Sequence, residues 1–298
     1  MPRVSRFDDP GRCLVISLVN SWFAGAARDL PWRAPGTSAW GVLVSEFMSQ
    51  QTPVARVIGP WREWMHRWPT PAALAQATTG EAVLAWGRLG YPRRALRLHA
   101  AAEAIVEGHG GVVPSDLQAL LGLPGVGEYT AGAVLCFAFG RRALVLDTNV
   151  RRVLARIETG VQYPANATTA AERRLAAQWL PGDDATASRW AAASMELGAL
   201  VCTASSPDCS SCPVADHCRW AAAGYPAHDG PPRRRQTYAG TDRQARGRLL
   251  EVLRHSEVGV DEQTLLGAWA SDTAQARRAL DGLLDDGLAH RQANMIIL

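Results

Sequence analysis

The sequence predicts a mainly α-helical protein of 298 residues with a small second domain at its C-terminal end. Three observations carry this. Apolar residues recur at three- and four-residue steps from Trp40 to Trp68 and again over 72–87 and 92–108, the helical period. Alternating apolar–polar runs of the kind strands need are almost absent. A Pro-, Gly- and Arg-rich stretch at 225–240, YPAHDGPPRRRQTYAG, reads as a linker, dividing the chain into 1–224, the linker, and 241–298.

The elements follow in order. LVISLVNSWFAGA, within 1–27, reads as an amphipathic helix, and RDLPWRAPGT (28–37) as loop. Between Trp40 and Trp68 short helices are expected, with breaks at Pro53 and Pro60. Longer helices follow at 72–87 and 92–108. Beyond Asp116 a helix is expected to end at Gly122, a tight LPGVG turn follows, and a second helix starts near Glu128. Gly125 and Gly127 are expected to take positive φ. With the helix N-terminus, the turn then offers amide donors to one phosphate, although an ordinary αα corner gives the same pattern. The C-terminal unit reads as helices at 241–256, 261–269 and 272–286 with a β-like tail. That arrangement is winged-helix-like, with a plain helical packing module as the alternative.

Composition narrows the function. No apolar run approaches the ~18–20 residues a membrane span needs; the longest candidate, 131–146, is broken by Gly140, Arg141 and Arg142. All 31 basic residues are arginine, and there is no lysine. Arginine suits bidentate phosphate contacts, while GC-rich codon usage would produce the same bias. In either case no side chain here can form a Schiff base; only the N-terminal amine remains.

Four of the six cysteines fall in one polar loop, Cys202-x6-Cys209-x2-Cys212-x5-Cys218. Disulfides would need an oxidising compartment, and nothing at the N-terminus resembles a signal peptide. A zinc ribbon usually has two close CxxC pairs, and only Cys209 and Cys212 are so spaced. An iron–sulfur cluster tolerates uneven gaps. The spacing favours a cluster and leaves zinc open.

A helix-hairpin-helix, an aspartate about twenty residues on (Asp147 in LDTNVRRVLAR) and a four-cysteine loop, in that order, resemble the endonuclease III superfamily of DNA glycosylases over roughly 28–220. Two positions point to a branch. Where bifunctional members carry a lysine nucleophile, this chain has Tyr129. Upstream it has Ser45-Glu46-Phe47-Met48-Ser49-Gln50-Gln51-Thr52, preceded by Pro31-Trp32-Arg33, with LGY at 89–91 and RALRLHAAA at 94–102. These look like the MutY-type adenine DNA glycosylases, in a short form.

The resemblance implies a two-lobed helix-hairpin-helix fold with a [4Fe–4S] cluster on Cys202, Cys209, Cys212 and Cys218. It implies a monofunctional enzyme of base excision repair that removes adenine mispaired with 8-oxoguanine or guanine in double-stranded DNA. Glu46 matches the general acid that protonates adenine N7. Asp147 matches the carboxylate that steadies an oxocarbenium-like state, with Tyr129 and Asn149 its polar neighbours. Gln50, Gln51 and Thr52 match a wedge entering the base stack, and Tyr91 an intercalating tyrosine. Trp32 and Arg33 border the base pocket, while Leu123, Gly125, Val126 and Gly127 form the phosphate-gripping turn. A monomer in the cytoplasm, at the nucleoid, is the expected setting.

The chain departs from the family at three places. Ser49 stands where leucine is usual, Ala192 falls where some relatives place a glutamate, and 241–298 is too short for the 8-oxoguanine-reading domain of long forms. Two other readings compete. One is a thymine or uracil mismatch glycosylase of the same superfamily. The other is a DNA-binding iron–sulfur protein without catalysis, against which the two carboxylates argue.

Overall fold

The computed structural model describes residues 9–228, 230 and 238–298; most of the arginine-rich core of the expected linker lies outside them. In chain order the helices are α1 (Pro10–Ala26), α2 (Ala39–Ser49), α3 (Ile58–Arg67), α4 (Pro71–Ala75), α5 (Thr79–Trp86), α6 (Arg93–His109), α7 (Leu117–Leu121) and α8 (Glu128–Phe139). They continue with α9 (Thr148–Leu154), α10 (Ala170–Gln178), α11 (Asp184–Leu200), α12 (Arg219–Ala222), α13 (Asp242–Arg254), α14 (Glu262–Gly267) and α15 (Thr273–Asp285). Three short strands, β1 (Val260–Asp261), β2 (His290–Gln292) and β3 (Met295–Ile297), complete the described residues.

Helix starts are written locally. Asp9, Asp116, Asp147 and Asp183 each accept a hydrogen bond from a first-turn amide of the helix they precede, satisfying a donor the helix leaves free. The stretch 72–87 is two helices rather than one. Thr78 and Glu81 form a reciprocal capping box that starts α5 afresh. Pro60 does not break α3; it sits in the first turn, where a missing N–H costs nothing.

The chain divides into two compact units. The first comprises residues 1–46, 115–122 and 126–231. Its core gathers Val15, Ile16 and Val19 of α1, Val150, Val153 and Leu154 of α9, Trp190 and Leu197 of α11, and Val214 from the cysteine loop. Two glycines permit unusually close helix packing. A Cβ at Gly198 would lie 2.7 Å from Asn149 Cβ, and one at Gly132 would lie 2.4 Å from the Leu144 carbonyl oxygen. α11 therefore lies directly on the start of α9, and α8 on the segment leading to Asp147.

The second unit comprises 47–114, 123–125 and 232–298. Trp64 is its centre, edge-on to Trp68 at 4.6 Å and to Trp86 at 5.6 Å. The C-terminal residues have the element order α13, β1, α14, α15, β2, β3. The strands form an antiparallel sheet ordered β1–β3–β2, with Val260 and Arg291 flanking Ile296. Within the same unit Arg88 donates to Glu251 at 3.1 Å and Arg93 pairs with Asp286 at 3.4 Å. A Cβ on Gly80 would meet the Leu298 carbonyl oxygen at 2.7 Å.

Candidate active site

Within the first unit, α2, α8 and α9 bring four of the expected residues together. Glu46 lies on the wholly buried run 40–48 of α2 and is itself 7% exposed. Its Oε2 is buried with no hydrogen-bond partner among the described residues. Burial pushes its pKa up to about 7; the Tyr129 hydroxyl and Arg33 act against the shift, and nearby Asp147 adds to it. Burial, Glu46 and Asp147 together push the Tyr129 phenol well above its ordinary value, so it stays a neutral donor at physiological pH.

Asp147 is buried too, but both of its oxygens have donors. Its Oδ1 accepts from the Val150 amide at 2.7 Å, and its Oδ2 accepts from Asn149 Nδ2 at 2.8 Å. Burial raises its pKa and these bonds oppose the rise. One carboxyl is thus desolvated with a free oxygen, and the other is held by donors at a helix N-terminus. Environments that differ in this way assign acid and base roles to a pair of carboxylates.

Two residues that close the site were not foreseen. Glu196 of α11 has a fully buried side chain. It accepts from Arg28 Nε at 2.8 Å and Nη2 at 2.8 Å, from the Arg28 amide at 2.9 Å, and from Arg33 Nη2 at 3.0 Å. Burial alone would raise its pKa, but these bonds outweigh burial and hold it at about 2. Glu196 therefore fixes the guanidinium of Arg33, which itself acts on Glu46. Trp32 sits with Arg33 in a single turn of 3-10 helix, Pro31–Arg33.

From Asp147 a chain of polar contacts runs to the cysteine loop. Asn149 Oδ1 accepts from Arg152 Nη2 at 2.7 Å, and Arg152 also donates to the carbonyls of Gly198 at 2.6 Å and Cys202 at 2.7 Å. One turn on, Arg156 is 1% exposed and donates to Cys202 Sγ at 3.2 Å. All four loop cysteines are unbridged. They line one pocket whose other walls are chiefly apolar: Val153, Ile157, Leu197, Val201, Val214 and Trp220. Burial raises the Cys202 and Cys212 thiols, the latter to about 11, and neighbouring loop cysteines add to both shifts. Thiols that disfavour one another's ionisation in an apolar pocket fit a cationic iron–sulfur core, which would hold all four as thiolates.

The remaining expected DNA contacts lie in the second unit or in the hairpin turn. Gln51 and Tyr91 both have left-handed backbone, φ +54 and +47. Tyr91 is 44% exposed, whereas Thr52 is buried, its hydroxyl donating to Leu89 at 3.3 Å. Gln50 is half-buried. In the turn, Gly125 takes φ +77, and a Cβ there would lie 2.8 Å from Arg97 Cβ. Gly127 corrects the expectation of positive φ: it is extended, at −100, and precedes α8 without a side-chain cap. What it contributes is bare backbone at a helix N-terminus. The side chains of Leu123 and Val126 are buried, leaving backbone as the polar part of those positions.

Comparison with known proteins agrees with this site. Residues 44–180 match the HhH-GPD superfamily of base excision DNA repair proteins, and residues 202–218 the iron–sulfur binding domain of endonuclease III. The chain is 53% identical to an adenine DNA glycosylase of Mycobacterium tuberculosis over 91% of its own length and 88% of the relative's. It is 54% identical to one of Mycolicibacterium smegmatis over 92% of each. Among solved structures it resembles a thermostable thymine-DNA glycosylase, with TM-score 0.65 and 26% identity over 72% of this chain and 98% of the other. The chain belongs to the adenine DNA glycosylase family of helix-hairpin-helix base excision repair proteins, with a [4Fe–4S] cluster on its four-cysteine loop.

Proposed function

We propose that the protein hydrolyses the N-glycosidic bond of adenine mispaired with 8-oxoguanine or guanine in double-stranded DNA, as a monomer at the nucleoid. The observation that carries this reading is Glu46, a buried carboxyl with a pKa near 7 and one oxygen without a partner. It suits a proton donor awaiting a base turned out of the stack. Glu46 gives its proton to adenine N7, and the C1′–N9 bond breaks with its electrons going to the base. Asp147, whose carboxylate form is favoured by the Val150 amide and Asn149, stabilises the sugar cation; water adds to C1′ and releases a proton to the carboxylate pair. Tyr129 and Asn149 hold the two carboxylates in these states. The hairpin turn grips a phosphate through the backbone of Leu123–Gly127. Cys202, Cys209, Cys212 and Cys218 would hold the cluster, which would anchor their loop against the core it shares with α9.

With no lysine in the chain, strand cleavage should not accompany base loss. Single-turnover assays on A:8-oxoG, A:G, G:T and G:U duplexes, with and without alkali, test this reading. Adenine release with breaks only after alkali is expected. Processing of G:T or G:U alone would move the protein to the thymine/uracil branch, which the likeness to a thymine-DNA glycosylase keeps as the second reading. For the C-terminal residues we propose a winged-helix-like domain at 241–298, following the 225–240 linker and packed within the second compact unit.

A further inference from the structure

We propose that Arg94 is the positioning residue that holds the two DNA-inserting segments, 50–52 and 89–91, in a single preformed arrangement. The proposal rests on the glycosylase reading above. Arg94 is 5% exposed and has no carboxylate partner within salt-bridge distance among the described residues. Its Nη1 donates to the carbonyls of Phe47 at 2.8 Å, Met48 at 3.0 Å and Gln50 at 2.5 Å. Its Nη2 donates to the Thr52 hydroxyl at 2.9 Å and to the carbonyls of Gly90 at 2.9 Å and Leu89 at 3.5 Å. The guanidinium also lies over the rings of Trp86 at 5.2 Å and Tyr91 at 5.5 Å.

A buried cation matched by neutral carbonyls, a hydroxyl and ring faces, with no carboxylate, is an expensive way to stabilise a fold. What it accomplishes here is specific. Four of its acceptors, the Phe47, Met48 and Gln50 carbonyls and the Thr52 hydroxyl, lie at the C-terminal end of α2 or just beyond it, where carbonyls lack helical partners. The other two, the Leu89 and Gly90 carbonyls, lie on the chain just before Tyr91. Each segment contains one non-glycine residue in the left-handed region, Gln51 and Tyr91. Such residues persist where surrounding contacts over-determine them, and they cluster at functional sites. A flat fork of five donors can bridge two loops in this way; a lysine ammonium cannot. Arg94 does not touch the reacting bond, so its contribution falls on unstacking and not on hydrolysis.

The test compares wild type, Arg94→Met and Arg94→Lys on two DNAs: a duplex A:8-oxoG mispair, and the same adenine in an unpaired bubble that needs no wedge. Visible absorbance of the cluster and helical circular dichroism confirm that each variant folds. Arg94→Met should slow release from the duplex by roughly ten- to hundredfold and leave bubble release within about threefold, with Arg94→Lys in between. Equal slowing on both DNAs, or no slowing on either, overturns the proposal. Should Arg94→Met not fold, Thr52→Val removes one partner of the guanidinium and should show a smaller loss confined to the duplex. Fluorescence of 2-aminopurine beside the mispair reports unstacking without bond cleavage. Wild type that raises this signal but releases no adenine would therefore refute the glycosylase reading alone. An unchanged signal in Arg94→Met would refute the role of Arg94 alone.

Discussion

At the scale of single residues, Glu46 and Asp147 are separated by their surroundings and not by their chemistry. Glu46 loses water and gains one phenol; Asp147 loses water and gains two donors. Since the folded Glu46 titrates near 7, the acid form falls away as pH rises through 7. Base release should decline on that limb, and a pH–rate profile of the single-turnover step reads it. The same shift acts on stability. Above the ordinary glutamate range an unfolded chain has released this proton while the folded chain retains it. The folded state is therefore disfavoured by an amount that grows with pH up to about 7, where it reaches ~3 kcal/mol. Glu46→Gln should abolish adenine release and also raise the melting temperature more at pH 8 than at pH 4.5. Asp147 combines two tasks, since it is also the N-cap of α9. Asp147→Asn keeps a capping oxygen and should lose activity with little loss of stability. Asp147→Ala should lose activity and about 1 kcal/mol besides, by chemical denaturation.

At the scale of elements, the positions of α8, α9 and α11 depend on glycines as much as on apolar contacts. Gly198→Ala places a methyl 2.7 Å from Asn149 Cβ and 3.0 Å from its backbone. It should push α11 from the start of α9, cost about 1–3 kcal/mol by denaturant titration, and weaken catalysis through Asn149. Much of this architecture was readable. The hairpin, the cysteine loop and the SEFMSQQT stretch are local patterns, in which neighbouring residues state their own geometry. Gly127 was misread because a glycine in a turn does not declare which of its freedoms is used. Here it is the missing side chain, and φ stays negative. The break between α4 and α5 was legible in Thr78-x-x-Glu81, a capping signature that the apolar period alone conceals.

At the scale of the molecule, what the sequence concealed is long-range. Arg28 and Glu196 stand 168 residues apart, and nothing near either identifies its partner. Arg94 is one of many arginines, and composition does not say which of them is buried. Glu196→Gln should lower stability by about 2 kcal/mol, less than for a fully buried pair because both arginines retain water. It should also release Arg33, shifting the activity profile of Glu46. Cys202, Cys212 and Cys218 pack against the core that contains α9, and Cys202 reaches its N-cap through Arg152 and Asn149. Cys202→Ser should therefore reduce adenine release more steeply than it reduces helical content, a comparison of assay and circular dichroism on one sample. The 241–298 segment holds seven arginines against nine Asp and Glu, a net charge of −2 (7 − 9), whereas the whole chain is +3. Phosphate attraction is thereby concentrated elsewhere in the chain, and a packing role suits this segment better than a DNA-reading one.

The arginine braces, Arg94, Arg152 and Arg156, are buried, and the chain has no ε-amine at all. Acylating metabolites, carbamylation and amine-directed crosslinkers consequently find no side-chain amine to attack, and none of them can erode by that route the charge that meets phosphate. An amine-reactive fluorophore has a single type of target, the α-amine, so labelling should stop at one dye per molecule. Titration of DNA into such a conjugate would then follow binding with every guanidinium intact.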